Sequence, residues 1–123
     1  MATLDDVRNI GLKLPGVTCS EDRFGLTMIV KGKAKGIVWS WSERVHPKKP
    51  KVINDSVLAI VVRNLTEKDI LYDSYPELFV TDPHYNGFPA VLVRIEAIGV
   101  ELLEDLIVEA WRTKAPPNVA REN

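Results

Sequence analysis

Apolar and polar positions along this chain alternate between two periods, and the switches mark its elements. In LDDVRNIGLKL, residues Leu4, Val7, Ile10 and Leu14 recur at helical spacing and form one apolar stripe. Thr3 can cap this helix, with Asp5 and Asp6 favourably placed in its first turn, and Pro15-Gly16 stops it. From Phe24 the period becomes two. Phe24, Leu26, Met28 and Val30 share one face of a strand, and Lys31-Gly32-Lys33 reads as a tight hairpin turn. The return strand, AKGIVWSWS, sets Ile37, Trp39 and Trp41 on one face against Val38, Ser40 and Ser42 on the other. Residues 43 to 56 hold two prolines and several basic residues without periodicity, and read as a surface loop.

VLAIVV, residues 57 to 62, is apolar on both faces, as a central strand requires. A second helix starts at LTEKDI, with Thr66 the expected N-cap and Leu65 set to staple against Ile70. It must end before Pro76. LFVT (78 to 81) and AVLVRI (90 to 95) are strands joined by residues 82 to 89. The last helix buries Leu103, Leu106, Ile107, Ala110 and Trp111, and wets Glu101, Glu104, Asp105 and Glu109. The expected fold is α+β: a two-layer domain in the order α-β-β-β-α-β-β-α, with a five-stranded antiparallel sheet and helices on one face.

Composition sets the class. At 123 residues, with 46% apolar and 27% charged positions, the chain suits one soluble domain over residues 1–117, followed by a flexible tail at 118–123. The lone Cys19 lies beside Ser20, Glu21 and Asp22, which disfavour a thiolate, so an inert thiol is expected. MATLDDVRN lacks the basic start and apolar run of a signal peptide. No apolar run approaches the ~20 residues of a membrane helix, so no membrane partner and a cytoplasmic location are expected.

Charge changes the picture more. The total is −1, yet residues 31 to 63 carry eight Lys or Arg against two acids, and residues 64 to 123 five against eleven. A chain polarised in this way can present a basic face despite a neutral sum. Lys31, Lys33 and Lys35 sit at the hairpin tip, Arg44, Lys48, Lys49 and Lys51 on or beside the following loop, and Arg63 after the third strand. Two basic protrusions beside one sheet could straddle a phosphate backbone, with DNA as the partner. Base readout is not expected, because no basic amphipathic helix is available for a groove.

Other chemistries find less support. His46 and His84 with one cysteine cannot build a tetrahedral zinc set, so neither metal nor cofactor is expected. No nucleophile elbow or phosphate loop occurs, and no enzyme is expected. TDPHYNGFPAVLVR exposes His84 and Tyr85 in a stiff loop, which could face a ligand or could merely connect two strands.

Several motifs together resemble the MmcQ/YjbR family of small bacterial proteins: LKLPG closing the first helix, FGLTMIVKGKA, TEKDIL, PHYNGFPAVLVR and AWRTKAP. The resemblance covers roughly residues 3 to 117. It implies the same element order and a double-winged arrangement for which members are often labelled DNA-binding. It carries no catalytic residue or cofactor. The layered order also occurs in secretion-chaperone-like folds, whose dimers grip extended peptides. In that alternative the chain is an adaptor for another protein or itself, with Trp39 or Trp41 in the contact.

Overall fold

A computed structural model describes residues 2–20, 24–43 and 52–115. Among them the elements run α1 (Leu4–Leu12), β1 (Val17–Ser20), β2 (Gly25–Val30), β3 (Lys33–Glu43), β4 (Val52–Val61), α2 (Leu65–Ser74), β5 (Phe79–Val80), β6 (Ala90–Arg94) and α3 (Val100–Lys114). A 3-10 turn spans Pro83–Tyr85. The strands form one antiparallel sheet in the order β1-β2-β3-β4-β6-β5. The α+β class and the antiparallel sheet are as expected; the sheet has six strands rather than five. The addition is β1, which pairs Val17 with Met28 and Cys19 with Leu26. Such a short edge strand carries too few alternations to stand out in sequence.

Two helices cover one face of the sheet. Thr3 and Asp6 cap α1 reciprocally, each side chain accepting the other residue's backbone N–H. Val7 and Ile10 point into the core. Gly11 lets α1 approach β2 closely, since a Cβ there would lie 2.4 Å from Leu26 Cδ1. Helix α3 buries the five residues its periodicity selects. Trp111 is wholly buried, and its indole N–H donates to the Pro15 carbonyl at 2.9 Å. Each such large apolar side chain contributes about 1.5–3 kcal/mol by leaving water.

Helix α2 differs from the other two. It buries no residue, and only Leu71 and Tyr72 pack partly on the core. Its N-cap is Asn64, not Thr66: the Asn64 side-chain oxygen accepts from the Glu67 N–H at 2.9 Å. Moving the cap two residues back takes Leu65 and Ile70 out of the staple positions, and they remain 43% and 51% exposed.

The faces of β3 also depart from simple alternation. Between Leu26–Val38 and Thr27–Gly36 the pairing skips Ile37, so Ile37 and Val38 both enter the helix-side core. Trp39 and Trp41 instead join a small outer cluster with Val57, Ala59 and Leu92. The surface loop expected over residues 43 to 56 is shorter, because β3 runs to Glu43 and β4 begins at Val52. Residues 44–51, with Arg44, His46, Lys48, Lys49 and Lys51, lie outside the described residues, as do the expected tail at 118–123 and its approach.

Candidate functional site

The basic hairpin is closed by the pair Val30–Lys33. Lys31 and Gly32 bridge it with φ of 51° and 79°, a two-residue turn whose twist matches the strands. Opposed residues in an antiparallel pair share a face, so Lys33 beside Val30 and Lys35 beside Met28 project to the helix side. Ile29 and Ala34 project to the other. Lys31, Lys33 and Lys35 are exposed, and among the described residues none reaches a carboxylate within ion-pair distance. Arg63 is engaged: its guanidinium lies 3.6 Å from Glu109 on α3. Trp39 and Trp41 lie on the opposite face from Lys33 and Lys35, so base stacking and phosphate contact would not share one surface.

The loop over residues 82–89 is held to the outer face through polar tips. Trp41 donates its indole N–H to Asp82 Oδ2 at 2.8 Å, and Trp39 donates to the Tyr85 hydroxyl at 2.9 Å. Asp82 Oδ1 accepts the His84 backbone N–H at 2.9 Å and so caps the 3-10 turn. Lys68 of α2 donates to the Tyr85 carbonyl and, at 3.1 Å, to the Phe88 carbonyl. Phe88 sits edge-on to both Trp39 and Tyr85. His84 is exposed, and Tyr85 is half-buried with its hydroxyl accepting from Trp39. These contacts make the loop a pinned connector.

A hollow of about 210 Å³ lies beside the pinned loop, lined in part by Lys68, Tyr72, Asp82 and Tyr85. Burial holds the Lys68 ammonium below its ordinary value of 10.5, and neighbouring Asp69 partly offsets this. Burial pushes the Tyr72 phenol above 10.0, against a smaller opposing effect from the Leu92 backbone N–H. Tyr72 donates to the Val80 carbonyl at 2.6 Å and stacks on Phe79, which fixes the short β5. Sequence reasoning did not single out Lys68, Tyr72 or Asp82. Only Asp82 carried a local signal, as a capping residue immediately before Pro83.

Among the described residues no three His, Cys, Asp or Glu side chains gather as a metal set would. No helix among them is long and apolar enough to cross a membrane.

Comparison with known proteins places this fold. The chain is 32% identical to "Uncharacterized protein Rv2570" of Mycobacterium tuberculosis, over 98% of this chain and 95% of that protein. "Uncharacterized protein Mb2600" of Mycobacterium bovis matches over the same extents at the same identity. The chain belongs to the family of these mycobacterial proteins. No family model matches it. Among solved structures, Deinococcus radiodurans protein DR2400 superposes with a TM-score of 0.67, over 99% of this chain and 88% of that one, at 18% identity. That structure carries a DUF419 domain, of the family commonly called MmcQ/YjbR-like. The likeness shows that this chain has the DUF419-type fold.

Proposed function

We propose that this chain is an MmcQ/YjbR-type binding module, without catalytic activity, that holds DNA weakly through its phosphates. One observation carries the reading: three lysines at the β2–β3 tip stand exposed with no acid among the described residues to neutralise them, while Arg63 elsewhere is taken up by Glu109. Lys33 and Lys35 project to one side and Lys31 sits at the apex, so the tip can rest against a run of negative charge. Arg44, Lys48, Lys49 and Lys51, which lie outside the described residues, follow in the chain and add positive charge in this reading. Arg63, exposed but facing Glu109, is left out of this contact. With no basic helix among the described residues, the contact is independent of base sequence in this reading.

Fluorescence anisotropy with a labelled duplex at two salt concentrations tests this. Three hairpin contacts give a log-log salt slope near −2.7, so affinity falls on the order of 40-fold between 50 and 200 mM salt. Reversing Lys31, Lys33 and Lys35 to Glu should abolish that dependence. Unchanged binding by the triple variant removes the proposal.

A second reading rests on the outer face, where Ile29 and Phe88 are 53% and 45% exposed. It makes the domain an adaptor that pairs with a second copy or an extended peptide. Light scattering coupled to size exclusion separates the two. A dimer broken by Ile29→Asp with Phe88→Asp favours the adaptor, and a monomer that binds duplex favours DNA.

A further inference from the structure

A cleft opens between α2 and α3 above the end of β4, with a volume of about 310 Å³. That is near the lower bound of small-molecule pockets, roughly 300–1,000 Å³. Its floor is apolar, formed by Val61, Val62, Leu71, Leu102 and Leu106. Its rim is acidic, with Glu67 on the α2 wall and Asp105 and Glu109 on the α3 wall. Arg63 is the one cation among the described lining residues, and it turns to Glu109 at 3.6 Å. Arg112 also meets Glu109, at 2.8 Å. Glu109 is therefore compensated twice. Glu67 and Asp105, one from each wall, have no cationic partner among the described residues.

We propose that this cleft binds a small amphipathic amine: an apolar body about the size of a benzyl group on the floor, with one ammonium at Glu67 and Asp105. The floor removes apolar surface from water without requiring a polar partner. Two unmet carboxylates give a cation charge-assisted hydrogen bonds, and they repel an anion of the same shape. Glu101, one turn before Asp105 on α3, adds a further exposed negative charge near that wall. The site needs nothing from the lysine hairpin and has the opposite charge, so it stands apart from the DNA reading.

Titration of the ¹⁵N-labelled full chain with benzylamine, benzyl alcohol and benzoate tests it by amide shifts. Benzylamine should move Val61, Val62, Leu71 and Leu106. Benzyl alcohol should bind roughly tenfold more weakly and benzoate not measurably. Glu67→Gln with Asp105→Asn should lower benzylamine to the affinity of the alcohol and leave the alcohol unchanged. Both side chains are exposed, so this variant keeps the fold. Leu71→Trp should fill the cleft and silence both benzylamine and benzyl alcohol; if it fails to fold, the charge variant still decides. Equal binding of amine and alcohol, shifts that map elsewhere, or none at millimolar benzylamine overturns the proposal.

Discussion

The two faces of the sheet are built by different physics. On the helix side, α1 and α3 meet β2, β3, β4 and β6 in one apolar core, whose large members Trp111, Leu26, Ile60, Leu103 and Ile107 are wholly buried. On the outer side the buried cluster among the described residues is just Val57, Ala59 and Leu92, and the cover comes from Trp39, Trp41, Val80 and Tyr85. The first face is held by non-directional burial and the second by hydrogen bonds aimed from indole nitrogens into a loop. The difference shows which polar groups are already spoken for. The aromatic loop uses the Asp82 carboxylate, the Tyr85 hydroxyl and two of its carbonyls to stay in place, whereas among the described residues the lysines of the hairpin tip meet no carboxylate.

Breaking the helix side should cost most. Trp111→Ala removes a fully buried ring and its bond to Pro15, and about 3–5 kcal/mol of stability should be lost in urea denaturation. On the outer side the loss should be smaller and should be shared by the bonds Asp82 accepts, from the Trp41 indole and from the His84 backbone N–H. Asp82→Ala leaves the Trp41 N–H without its carboxylate, at a cost of about 1–3 kcal/mol. In the Trp41→Phe background the same change should cost measurably less. Additive losses would show that the two residues do not act as a pair.

The smallest effect is a pH dependence at the β5 edge. The Tyr72 phenol titrates higher in the fold than its ordinary 10.0. The unfolded chain therefore loses this proton first, and stability declines as pH rises above 10. Lys68 acts the other way, since its value is held below 10.5 and stability increases as pH climbs toward 10.5. Tyr72→Phe should cost about 1 kcal/mol at neutral pH through its bond to Val80. It should also flatten the alkaline decline seen by thermal melting between pH 9 and about 11. An identical decline in the variant would place the effect elsewhere.

Much of the fold was legible. The stripe on α3, the Thr3 start of α1, the lysine-tipped hairpin and the strand at Ala90–Arg94 all follow from local period and turn chemistry. The misses have one cause. The bulge at Ile37, the cap at Asn64 and the edge strand β1 each depend on what a neighbouring segment offers. A single β3 sequence cannot reveal that β2 will skip a residue opposite it. Nor can a hydrophobic pair such as Leu65 and Ile70 reveal that a cap two residues earlier will turn it outward.

For the candidate sites, the sequence supplied inventory and polarity: eight bases within residues 31 to 63, eleven acids after residue 63, and no zinc set. It could not assign partners. That Arg63 joins Glu109 across 46 residues of chain, that Trp39 and Trp41 spend their N–H groups on Tyr85 and Asp82, and that Glu67 and Asp105 face one apolar cleft are outcomes of packing. Periodicity is a local property, set by backbone geometry within a few residues, so the chain alone determines its elements and their buried sides. Pairing of charges and donors depends on which elements are brought together, and that is decided only when the hydrophobic faces close on one another.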